Sequence, residues 1–200
     1  MNLIDRAKNI IISPKTEWDV VANEEPNTQE ILMSYILPLS LIPTAASILG
    51  SLIFFPYSFR LAIATGIGMG LVHLLVSFGV VLLAAFIIDA LAPNFGSQKN
   101  FGRAIQLVAY SYTPAWIAGI LFIIPFLGLF AWIASFYSIY LIYLGLNPTM
   151  KTPENNRIGY LIVSFIILTL AYVILWFILL AIIMGIVGAM FGLGALGTYY

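Results

Sequence analysis

The chain has 200 residues, 62% of them apolar and only 8% charged, with a formal net charge of zero and no cysteine. Ordinary soluble domains carry roughly 25% charged residues. This composition excludes a soluble enzyme and a disulfide scaffold, because a soluble core this small would leave much apolar surface in water, whereas lipid solvates it directly. It also excludes a nucleic-acid binder: the eight basic residues are spread singly and cannot form a phosphate-tracking groove.

Residues 1–30 hold Arg6, Lys8 and Lys15 together with Asp5, Glu17, Asp19, Glu24, Glu25 and Glu30. No signal peptide is expected, since the segment lacks a cleavable apolar stretch. Leu3, Ile4, Ala7, Ile10 and Ile11 recur at helical spacing and predict a short amphipathic helix, lying among headgroups or under a bundle. Ser13 reads as the N-cap, and Pro14 as the first position, of a second short helix bearing Trp18 and Val21. Trp18 is a candidate interfacial anchor. Asn27 with Glu30 resembles a capping box opening the first long apolar run.

At about 1.5 Å per helical residue, some 20 apolar residues cross a hydrocarbon core of roughly 30 Å. Residues 31–56 form the first such run, with Pro38 and Pro43 inside it. The second, 61–92, carries Gly66, Gly68, Gly70 and His73 and closes at Asp89 and Pro93. The third covers 104–124 and the fourth 126–146, joined by a tight turn at 125–128. Gly145, Asn147 and Pro148 are expected to stop the fourth helix. Thr152 and Pro153 are expected to cap the fifth, 159–184, followed by a loosely structured, apolar, glycine-rich tail over 185–200. The expected fold is an all-α integral membrane protein. A cytosolic amphipathic segment, 1–30, precedes a five-helix transmembrane bundle, 31–200.

Five spans place Arg6, Lys8, Lys15, Lys99, Arg103, Lys151 and Arg157 on one side against Arg60 alone on the other. The N-terminus is therefore expected in the cytosol and the C-terminus outside it. The acidic residues share that side, so the face is mixed in sign and not polybasic.

His73 falls mid-span with Ser77 one turn on; the expected role is packing, with a ring nitrogen bonded to a neighbouring helix or to Ser77. Asp89 is expected to pair with Lys99 or Arg103 near the interface. In the third span Gln106, Tyr110 and Thr113 follow at helical spacing, and Pro114 frees the carbonyl of Tyr110, so this face must look toward protein. Gly66 with Gly70, and Gly188 with Gly192, have GxxxG spacing and make a homo-oligomer through those faces an expectation. Tyr137, Tyr140 and Tyr143 read as an aromatic belt. Motifs for zinc, a nucleophile elbow or a Walker loop are missing, so no enzyme, metal or cofactor is expected.

Several stretches carry a likeness: Ser13-Pro14 to Trp18, Tyr35-Ile36-Leu37-Pro38, Phe95-Gly96-Ser97, then Phe101 into Ala109-Tyr110-Ser111-Tyr112-Thr113-Pro114, and Ile139 to Leu146. In these the chain resembles the Yip family of polytopic membrane proteins (Ypt/Rab-interacting proteins), in its bacterial branch. The resemblance implies five spans with a cytosolic N-terminus, and residence in a bacterial inner membrane. Eukaryotic relatives bind Rab GTPases, but their acidic-leucine-tyrosine-glycine-proline motif is missing here, which counts against a Rab-type partner. The expected function is a non-enzymatic adaptor or organiser of membrane components, with protein partners at the cytosolic face. The alternative is a small transporter or channel whose path is lined by the third span and His73.

Overall fold

A backbone inside lipid has to satisfy its own hydrogen bonds, and this chain does so by helix. The computed structural model describes residues 2–54 and 59–196. Side chains are described there except for Leu61, Pro125 and, beyond Ile174, all but Phe177. Among the described residues there is no strand.

Two short helices form an N-terminal arm, α1 (Leu3–Ile12) and α2 (Pro14–Ala22). The Asn2 side chain caps α1. Ser13 holds the N-cap position of α2 without a side-chain bond, and Thr16 donates to its carbonyl instead. Among the described residues, five helical segments are long and apolar enough to cross a membrane: Thr28–Phe54, Ala62–Phe95, Phe101–Ile123, Gly128–Met150 and Glu154–Ile174.

The first span opens on Asn27, whose side chain accepts from the Glu30 amide. It runs as a π-helix over Ile31–Ile36 before turning α-helical. Pro38 explains the wide turn: its ring crowds the carbonyl four residues back, which wider bonding upstream relieves. The second span is one helix, Phe59–Leu91, ending in a 3-10 turn. It lies against the first through Gly66 and Gly70, where a Cβ would run into Ser51, Ile48 and Thr44. Thr44 and Ser51 also donate to the Gly70 and Ala62 carbonyls across this contact. The Gly66–Gly70 face is thus occupied within the chain, which corrects its assignment to a homo-oligomer; the surroundings of Gly188 and Gly192 lie outside what is described.

The third span lies at the centre. It breaks at Tyr112 into Phe101–Ser111 and Thr113–Ala118, then continues as a 3-10 turn. Its apolar window is 61% buried, against 11% for the fifth. The connection at 125–128 is itself a 3-10 turn, Pro125–Leu127.

Three boundaries differ from expectation. The fourth helix runs past Gly145, Asn147 and Pro148 to Met150 and ends on left-handed Lys151, with φ of 54°. Pro148 costs the helix one backbone bond, to the Leu144 carbonyl, and the last turn is held around it by Thr149, which donates to the Gly145 carbonyl, and by the Lys151 amide, which donates to the Leu146 carbonyl. Thr152 does not cap the fifth helix; it turns back and donates to the Leu146 carbonyl. Finally, the fifth helix continues to Leu196, through most of the segment expected to be a loose tail, whose residues 197–200 lie outside the described residues. Glycine costs about 1 kcal/mol in a helix exchanging bonds with water, but in lipid an opened backbone finds no substitute partner.

One core gathers Ile10, Trp18 and Val21 of the arm with Ile36, Val81, Ala85, Ile105, Leu107, Val108, Leu141, Leu146 and Tyr160. Burying the arm's apolar faces against the bundle stabilises each helix far beyond its own propensity.

Candidate functional site

The buried polar groups concentrate where the arm meets the third span. In α1, Leu3, Arg6, Ala7 and Ile10 share a face, so Arg6 sits inside the apolar stripe and is carried into the interior. It is 3% exposed, and its principal partner Glu17 of α2 is 4% exposed. One guanidinium nitrogen meets the Glu17 carboxylate at 2.7 Å, and the other meets Glu24 at 2.5 Å. The guanidinium also lies 5.0 Å from the centre of the Tyr110 ring. A cation held by two carboxylates and an aromatic face is satisfied without water.

Tyr110 takes the edge of Tyr35 at 4.8 Å. The Tyr35 hydroxyl lies 2.6 Å from the Thr113 hydroxyl, which donates to the Tyr110 carbonyl at 2.7 Å. That carbonyl is the one freed by Pro114, so the break in the third span is closed by a side chain from its own turn and by the first span. Gln106, 1% exposed, accepts from Arg103 at 3.1 Å, and Arg103 donates onward to the Val21 carbonyl at 3.0 Å. From the fourth span, the Tyr137 hydroxyl donates to the Ile11 carbonyl at 2.9 Å. Both arm helices therefore have C-terminal carbonyls satisfied by the bundle, and at α2 the donor is a cation, which the helix dipole favours.

Trp18 fills the remaining volume. It is 1% exposed, which corrects its reading as an interfacial anchor. Its ring lies against Gly145, where a Cβ would come within 2.8 and 2.9 Å of two ring atoms and closer still to Leu107. Gly145 is thus a contact point and not a helix stop.

Of the residues singled out by sequence, Trp18, Arg103, Gln106, Tyr110, Thr113 and Pro114 come together here. His73 and Ser77 stand apart. The imidazole stacks on Phe122 at 4.9 Å, while Ser77 donates to the His73 backbone carbonyl and accepts from the Trp116 indole. The histidine ring is therefore paired with an aromatic face and not with Ser77. Asp89 is also elsewhere: it is 8% exposed, and its Oδ1 has no hydrogen-bond partner among the described residues. The expected pair with Lys99 or Arg103 is not formed, because Arg103 is committed to α2.

Sequence reasoning missed Arg6, Glu17, Glu24, Tyr35 and Gly145. The signal for Arg6 was present, as a charge interrupting the apolar stripe of α1. At this same end the two inter-span connections are bonded together: Ser97 donates to Thr152 at 2.9 Å and Asn156 to the Phe95 carbonyl at 3.0 Å. Phe95 stacks on Tyr160, whose hydroxyl donates to the Ile88 carbonyl. Among the described residues no cluster of three or more potential metal ligands occurs.

No curated protein and no solved structure matches this chain significantly. The family model of the Yip1 domain matches residues 8–178, from within α1 to the fifth helix. A match over that much of the chain, on a five-span all-α membrane bundle, means that the chain belongs to the Yip1 domain family.

Proposed function

We propose that the chain is a non-enzymatic adaptor that organises other membrane components, with its arm on the cytosolic side. The observation carrying this reading is that Arg103, Gln106, Tyr110 and Thr113 of the third span, the polar face that a solute or ion path would need, are engaged by internal partners. Arg6, Tyr35 and the Val21 carbonyl occupy Tyr110, Thr113 and Arg103. The outward side of the arm meanwhile keeps Asp5, Lys8, Lys15 and Asp19 exposed. A rigid, mixed-charge face on a membrane anchor suits a protein partner, since alternating signs give specificity and register. The seven-to-one distribution of basic residues supports placing that face in the cytosol.

The test uses the intact protein in its native membrane, with a photoreactive side chain at Lys15 or Asp19 and a control at lipid-facing Trp132. A discrete protein adduct formed from the arm positions and not from Trp132 is expected. In reconstituted liposomes, a solute or ion flux that His73→Gln abolishes with folding intact would overturn the adaptor reading in favour of transport.

A further inference from the structure

Between the second, fourth and fifth spans the bundle opens into a cleft of about 430 Å³ with Tyr112 of the third span in its wall. That volume falls in the range of ligand sites, roughly 300–1,000 Å³. Its lining is almost wholly apolar and contains no charged residue; Ile142, Phe165 and Leu168 form much of it. Three serines interrupt it, Ser135 and Ser138 of the fourth span and Ser164 of the fifth.

Ser138 and Ser164 behave differently from most hydroxyls on the spans; Ser111 of the third span shares their lack of a partner but does not line the cleft. Serine and threonine in a helix ordinarily bond back to a carbonyl one turn earlier. Ser47, Ser77, Ser135, Thr149 and Thr169 all do so. Ser138 and Ser164 are 4% and 8% exposed, yet neither hydroxyl has a partner among the described residues. A buried hydroxyl without a partner is costly, and more so where water is scarce. Two of them in one cleft mark the place of an external hydrogen-bonding group.

Depth narrows the chemistry. Ser138 is twelve residues from Met150 and Ser164 ten from Glu154, or about 15–18 Å along their helices. Both therefore stand near the middle of a hydrocarbon core of roughly 30 Å. A phosphate or ammonium headgroup at that depth would need a counter-charge that the lining lacks. An uncharged oxygen is under no such constraint, and it can accept from both serines.

We propose that this cleft binds an uncharged long-chain lipid, whose hydroxyl or carbonyl oxygen is held by Ser138 and Ser164. The site is separate from the arm junction, and binding there does not depend on the adaptor reading.

The experiment uses the full chain in liposomes with four diazirine probes: a long-chain alcohol, a diacylglycerol, a phosphatidylcholine and a hydrocarbon of matched length. Saturable labelling near Tyr112, Ser138 or Ser164 by the alcohol or the diacylglycerol is expected, competed by unlabelled excess. Which of the two saturates identifies the source of the oxygen. Ser138→Ala combined with Ser164→Ala should lower that labelling about five- to tenfold, with the melting temperature checked in parallel. If this variant fails to fold, the contrast among probes on the wild-type chain decides. Equal, non-saturable labelling by all four would mean bulk lipid only and would overturn the proposal. So would efficient disulfide-linked dimers of Ser164→Cys in a chain with no native cysteine, since they would put a second copy in the cleft.

Discussion

Arg6 illustrates how one side chain can tie an amphipathic arm to a bundle. Its pair with Glu17 is buried, while Glu24 sits at the rim with a third of its side chain exposed. Removing one member of a buried pair strands the other charge, so Arg6→Ala should destabilise the folded protein by about 3 kcal/mol. Glu24→Gln should cost less than about 1 kcal/mol, because the rim is solvated. Replacing Arg6 and Glu17 together by methionine should recover most of the loss, and chemical unfolding in detergent ranks the three. Gly145 makes a second residue-level case. Its missing Cβ leaves room for the rigid Trp18 ring, so Gly145→Ala should cost about 1–3 kcal/mol. Trp18→Phe in the same chain should restore part of that, because two of the three most crowded atoms belong to the indole ring system and the third to Leu107. Lys151 runs the other way: it holds a left-handed conformation at the end of the fourth helix. Lys151→Gly there should stabilise by about 0.5–1 kcal/mol, read from the melting temperature.

At the scale of elements, the third span is two helices hinged at Tyr112, and Thr113 closes the hinge. Thr113→Val keeps the shape but leaves the Tyr110 carbonyl and the Tyr35 hydroxyl without their partner, and should cost about 1–2 kcal/mol. A double-mutant cycle with Tyr35→Phe should show coupling between the two sites; strict additivity would mean that the hydroxyls do not interact. The spans themselves were legible in the sequence, because lipid demands about 20 apolar residues per crossing and the charges and prolines between runs mark the ends. What was not legible follows from rules that weaken in lipid. Gly145 and Pro148 look like a stop, but a glycine in a membrane helix also serves close packing. The glycines beyond Met184 look like a loose tail, but helix is the only low-cost backbone there. Trp18 looks like an anchor because tryptophan favours interfaces, and only the fold reveals the glycine-lined socket opposite it. The polar side of the third span was readable from Gln106, Tyr110 and Thr113. Its partners were not, because Arg6 and Tyr35 reach it from 104 and 75 residues away in sequence, counted from Tyr110.

For the whole molecule, the arm and the spans share one core, and the arm covers Arg103 and Tyr110 of the third span. The most direct measurement is hydrogen–deuterium exchange of residues 3–22 in liposomes, for the wild type and for Arg6→Ala. A docked arm predicts slow exchange at the amides of Ile10, Trp18 and Val21, approaching that of the third span, and a large acceleration in Arg6→Ala. Rapid exchange of these amides in the wild type, unchanged by Arg6→Ala, is the behaviour of a helix lying free on the bilayer surface and would contradict the account.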